Sequence, residues 1–155
     1  MIAWRVEKKK WLAVAKSGDG ARSAGGRWNS PGLNMIYASE HLSLAVLEIL
    51  VHAPLPSQRL AARARSRISI PDTLIEFVMP RSLPAEFGPD IAYAATQVIG
   101  DRWIREQRSV ALVVPSAIVP VEHNILLNPG HPDFSKCGWG RFEDVQLDPR
   151  LWVVP

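Results

Sequence analysis

Three side chains carry chemistry in settings that invite it. They are an arginine in a glycine-rich loop (Arg27), a carboxylate in an apolar run (Glu48) and a serine at the end of a buried strand (Ser116). The loop reads GARSAGGRWNSPG over residues 20–32. Gly25-Gly26 lets the backbone reach positive φ and approach a ligand closely. The guanidinium that follows offers a planar fork of donors matched to phosphate oxygens. Trp28 adds a large flat surface and Asn29 a two-way hydrogen-bonding amide. The alternative is a glycine-rich surface turn with an exposed arginine. The segment is neither a Walker loop nor a dinucleotide fingerprint, because it precedes a strand instead of joining strand to helix.

Glu48 is the one acidic residue between Leu42 and Val51, in a run apolar almost all round. Such a pattern predicts a buried helix, where a carboxylate is costly unless it is paired or lines a cavity. It is therefore a candidate functional acid; the alternative is a wet stripe with an arginine partner. Ser116, after Val113-Val114-Pro115, either stabilises a turn or serves the site. Asn124 and Asn128-Pro129 read as turn residues, and Tyr37 as core or as a stacking surface. His52, His123 and His131 show no metal-ligand spacing, so no metal is expected.

The elements that must position these residues follow from pattern and punctuation. Strands are expected at Ile2–Val6, Asn34–Ser39, Arg65–Ile70, Leu74–Met79, Val110–Val114 and Val121–Leu127, with a last one near Leu151–Val154. Ser39 is expected to cap a helix over Glu40–His52, ended by Pro54 and Pro56. A second helix spans Ile91–Glu106, with Gly100 as its weak point. Ser17–Gly32 is a structured loop and Pro80–Pro89 another. This order predicts an α+β fold, one compact domain over residues 1–155.

Bulk properties narrow the class. Apolar residues make up 47% and charged residues 21%, which argues for a packed globule rather than disorder. The net charge of +3 comes without a basic stripe or a helix-turn-helix pattern, so direct nucleic-acid binding is not expected. One cysteine, Cys137, cannot form an internal disulfide and reads as an inert small residue. The N-terminus lacks a signal-like apolar run and no stretch is long enough to span a bilayer, so the cytoplasm is the expected compartment.

Taken together, GGRWNSPG, IYASE and LAVLE, followed by ALVVPSAIVPVEHNILLNPGHPDF, closely resemble the two blocks of RES-domain proteins. The leading AWR with Arg5 is similar to that family's start. The arginine, glutamate and serine that name the domain map onto Arg27, Glu48 and Ser116. The resemblance implies an ADP-ribosyltransferase-like fold, mixed strands and few helices around an NAD+ cleft. It implies a bacterial type II toxin that cleaves the nicotinamide–ribose bond of NAD+, by phosphorolysis or hydrolysis. ADP-ribosylation of a protein target is the alternative, and a catalytically inactive antitoxin-binding module a second one. An Xre-like helix-turn-helix antitoxin that covers the active site is the implied partner.

Under that reading NAD+ is a substrate and inorganic phosphate a candidate co-substrate. The bond breaks with oxocarbenium character. Glu48 would stabilise the cationic carbon, and Arg27 would hold the pyrophosphate or a ribose hydroxyl. Ser116 would support Glu48 or bind the ribose, and Tyr37 would stack on the nicotinamide. Trp28, Asn29 and Asn128, which fall inside the two blocks, are expected to help hold the dinucleotide. Arg5 or Arg22 would supply a second anion site for phosphate.

Overall fold

A computed structural model describes residues 1–53, 61–83, 87–88 and 93–152. The strands are β1 (Ile2–Lys8), β2 (Ile36–Ser39), β3 (Arg63–Ser69), β4 (Ile75–Phe77), β5 (Ala111–Pro115), β6 (His123–Leu127), β7 (Gly138–Trp139) and β8 (Glu143–Val145). The α-helices are α1 (Asp19–Ala24), α2 (Leu42–His52) and α3 (Tyr93–Arg105), and short 3-10 turns fill several connections. The strands form one sheet in the order β4-β5-β6-β2-β1-β3-β7, with β8 also paired to β3. Among the described strands only β4 and β5 run parallel. Mixed strands with few helices make this an α+β domain, as the element order predicted.

The centre of the sheet follows from apolar runs that alternate sides with a period of two. Ala111, Val113, Ile125 and Leu127 pack in one core cluster with Ile36 and Ile68. Leu112, Val114 and Leu126 face the other way, against Trp28, Met35 and Trp103. The second cluster joins α3 and the glycine loop to the sheet. The Trp103 indole donates to Ser109 Oγ at 2.8 Å, so its polar edge is satisfied.

Several expectations are corrected. Ser39 does not cap α2; the N-cap residue is His41, with no side-chain cap bond, and the Ser39 hydroxyl is spent elsewhere. α2 is not buried all round: Leu44 and Ala45 are buried, but Leu47 and Val51 are exposed. The loop Ser17–Gly32 contains a short helix, α1. Gly100 does not break α3, which runs continuously. Around Leu151 the chain forms a 3-10 turn, Pro149–Trp152, instead of a strand; residues 153 and 154 of that expected strand lie outside the described residues. So do Pro54 and Pro56, residues 91 and 92 of the expected second helix, and residues 84–86 and 89 of the expected loop. Cys137 is buried, and burial pushes its thiol pKa up, as fits an unreactive side chain. No described helix is long and apolar enough to cross a membrane.

Candidate active site

β1, β2, α2, the glycine loop and the turn after β5 enclose a cleft of about 680 Å3. That volume lies within the usual range of small-molecule sites, roughly 300–1,000 Å3. Arg27, Tyr37 and Glu48 all border it.

Glu48 is presented by α2, which packs on β1 and β2. Its Oε1 accepts hydrogen bonds from Asn124 Nδ2 and from Ser116 Oγ, the latter at 3.2 Å. His52 Nε2, one turn along the helix, lies 3.4 Å from Oε2. Asn124 is oriented in turn by Ser39, whose hydroxyl donates to Asn124 Oδ1 at 2.7 Å. Ser39 and Asn124 are direct cross-strand partners of β2 and β6. Burial pushes the Glu48 pKa up, but hydrogen bonds from His52, Asn124 and Ser116, with the nearby imidazole charge, outweigh it. The net result lies below the ordinary carboxylate value. The site therefore holds a fixed negative charge at neutral pH.

Ser116 is fully buried. Its hydroxyl donates to Glu48 and accepts from the backbone amides of Ile118 and Val119, at 3.0 and 3.1 Å. One donor and two acceptor positions exhaust a hydroxyl. Of the two roles expected for it, support of Glu48 is the one this geometry allows.

The glycine loop forms another part of the wall. Gly25 takes φ +71° to end α1, and its amide donates to Ala21 O at 2.8 Å. Gly26 is required by close approach: a Cβ there would meet the Tyr37 hydroxyl oxygen at 2.6 Å. That hydroxyl donates to Asn29 Oδ1 at 2.8 Å and accepts from the Trp28 amide at 3.0 Å. Burial raises the Tyr37 pKa strongly, so the phenol stays neutral and keeps its donor. Arg27 donates from Nη1 to Gly88 O at 3.0 Å, and its guanidinium lies 4.8 Å from the centre of the Tyr93 ring.

Three residues expected to help hold the dinucleotide also make contacts within the fold. Asn29 is fully buried and donates to the carbonyls of Ala21, Ser30 and Leu33 while accepting from Tyr37. It organises the loop. Trp28 touches the cleft wall but is only 2% exposed, its ring packed in the core and 5.9 Å from Phe87. Asn128 borders no part of the cleft; its Oδ1 accepts from Gly130 N at 3.0 Å and its Nδ2 donates to Ile104 O. In each case the side chain is engaged within the fold.

The expected second anion site is altered as well. Arg5 lines the cleft, in a wall shared with a neighbouring cavity of about 410 Å3. Its guanidinium is already engaged, with Glu7 Oε2 at 2.5 Å and Tyr37 O at 2.7 Å. Arg22 is exposed on α1 and borders neither cavity.

Sequence reasoning missed His52, Asn124 and Ser39 as a support for Glu48. The spacing of Glu48 and His52, four apart on a helix, was a usable signal. The Ser39–Asn124 pair was not, because strand register decides it. Beyond that pair Glu40, His41 and Glu122 bring carboxylate and imidazole atoms within 4.8 Å of one another, outside the cleft.

The RES domain family profile matches residues 2–148, and the chain belongs to that family. It is 39% identical over 156 residues to "Toxin Res" of Yersinia enterocolitica, covering 97% of this chain and 99% of that protein. It is 40% identical over 152 residues to "Toxin Res" of Photorhabdus laumondii, covering 97% of each. It is also 35% identical over 156 residues to the "Prs ADP-ribosylating toxin" of a Sphingobium species, covering 96% and 94%.

Proposed function

We propose that this chain is a cytoplasmic toxin that binds NAD+ in the cleft and breaks its nicotinamide–ribose bond. The observation that carries the reading is the Glu48 carboxylate bordering the cleft, held by Asn124, Ser116 and His52, with Arg27 lining the same cleft. Fixed negative charge favours a developing oxocarbenium ion, and preorganised charge of this kind is a large term in catalysis. The N-glycosidic electron pair leaves on the pyridine nitrogen, so nicotinamide departs neutral and needs no general acid. The acceptor oxygen forms the new bond to the ribose carbon. Arg27 would hold the pyrophosphate, as a charge-assisted fork suits phosphate oxygens. Tyr37 would border the nicotinamide end beside Arg5.

The acceptor in this reading is inorganic phosphate or water. Transfer to a protein side chain is a second reading, favoured by the relative named as an ADP-ribosylating toxin. The names of the relatives also support a partner antitoxin, expected to be Xre-like and to cover the cleft.

The test is to incubate the purified chain with NAD+, with and without phosphate, beside Glu48→Gln. Nicotinamide release that needs phosphate and is lost in the variant marks a phosphorylase, and release without phosphate a hydrolase. Release only after cell extract is added marks a protein acceptor. No release under any of these conditions sinks the reading.

A further inference from the structure

The glycine loop is held by more than the elements next to it in sequence, α1 through Ala21 and β2 through Tyr37. One face of α3 spans residues 26–30 from the far side. Gln97 Nε2 donates to Gly26 O at 2.9 Å and to Asn29 O at 3.1 Å. The Thr96 hydroxyl donates to Arg27 O. Asp101 Oδ1 accepts from Ser30 N at 2.8 Å. Gly100 lies against the loop backbone itself: a Cβ there would sit 1.9 Å from Trp28 O. Tyr93, on the first turn of the same helix, puts its ring beneath the Arg27 guanidinium.

Residues 96, 97, 100 and 101 share one helical face, since positions three to five apart are neighbours on a helix. Every loop residue from Gly26 to Ser30 therefore meets this face, through a carbonyl, an amide or direct packing. Thr96 is fully buried and Asp101 nearly so, so these bonds are made away from competing water and leave costly orphans when broken. Ordinary packing of a helix on a loop needs none of this one-to-one backbone satisfaction.

We infer that α3 is the clamp that sets the Arg27 loop for substrate, with Thr96 and Gln97 as positioning residues acting through the Arg27 main chain. The inference rests on the NAD+ reading for the identity of the ligand, but the clamp has its own readout. Neither residue touches the cleft, so their loss alters how Arg27 is presented and leaves the Glu48 centre intact.

The experiment uses the full chain as wild type, Gln97→Ala, Thr96→Val and Thr96→Ser. Two measurements are made on each: steady-state NAD+ cleavage, and amide hydrogen exchange across residues 26–30. Gln97→Ala and Thr96→Val are expected to raise KM for NAD+ about tenfold, the scale of one lost hydrogen bond, with kcat within about twofold. Exchange at Gly26, Trp28 and Ser30 is expected to quicken by a similar factor while the β5–β6 amides stay protected. Thr96→Ser, which restores the hydroxyl, is expected to restore both. Unchanged KM with faster loop exchange overturns the positioning role, and unchanged loop exchange overturns the clamp itself. A parallel fall in kcat and in protection throughout the sheet shows a general loss of stability and overturns it too. Should the wild type neither bind nor cleave NAD+, the proposed function falls, and loop exchange alone still decides the clamp.

Discussion

Ser116 Oγ stands 3.2 Å from Glu48 Oε1 with its remaining bonding capacity taken by the amides of Ile118 and Val119. The turn after β5 thus fixes the serine, and the serine fixes the carboxylate. Ser116 itself is not among the residues that border the cleft.

Ser116→Ala is accordingly expected to lower kcat for NAD+ cleavage by about tenfold or more, the scale of a hydrogen bond to a charged group. KM should stay near the wild-type value, because no ligand contact is lost. Steady-state kinetics check this; a tenfold rise in KM at constant kcat would show that Ser116 touches substrate after all.

Glu48 has a pKa held below the ordinary carboxylate value, with burial opposing its hydrogen bonds. A depressed carboxylate contributes stability that is complete above its unfolded pKa and is lost as pH falls through the folded one. Activity should follow the same carboxylate, staying flat through neutrality and failing only in acid. Asn124→Ala removes a bond that lowers the pKa and leaves the burial, so the acid limb of kcat/KM should move to higher pH. A pH–rate profile that does not shift would detach the limb from Glu48.

Gly26→Ala sets a methyl group against the Tyr37 hydroxyl oxygen at 2.6 Å. The loop or the ring must move, and overpacking of this kind costs about 1–3 kcal/mol. The double variant Gly26→Ala with Tyr37→Phe removes the clashing oxygen, so its destabilisation should be smaller than the sum of the two single effects. Denaturant unfolding of all four proteins measures the coupling, and strict additivity would place the strain elsewhere.

Gly100→Ala gives opposite signs for two physical effects. Helix propensity alone favours alanine by about 1 kcal/mol. Packing opposes it, because the new Cβ would lie 1.9 Å from a main-chain oxygen with no flexible side chain to yield. The expected result is a lower Tm than wild type, with faster exchange in the Arg27 loop. A higher Tm would mean that α3 and the loop are less tightly apposed.

Much of the fold was legible, because β5 and β6 carry apolar runs and the helical patterns over α2 and α3 stood out. The short pairings were not: β7 and β8 have two and three residues, too few for a periodic signal. In the site, Glu48 stood out as a charge in an apolar run, and Arg27 as a guanidinium directly after two glycines. Trp28, Asn29 and Asn128 lay in equally suggestive stretches, and the structure shows that each also makes contacts within the fold. Local sequence shows which groups a residue has to offer but not whether a distant carbonyl has already taken them. Ser39 shows the same limit, since its nearest use was a helix cap and its actual partner is Asn124, 85 residues away.

Those distances along the chain bear on biosynthesis. Glu48 meets Asn124 across 76 residues, and Ser30 meets Asp101 across 71. β6 must be inserted between β2 and β5 before Asn124 reaches the carboxylate. Contacts so remote form late, after their loop-closure entropy has been overcome. A chain still emerging from the ribosome, or one cut short before His123, carries Glu48 without Asn124 and without a central strand of the sheet. Incomplete translation products of this protein should therefore be harmless to the cell that makes them.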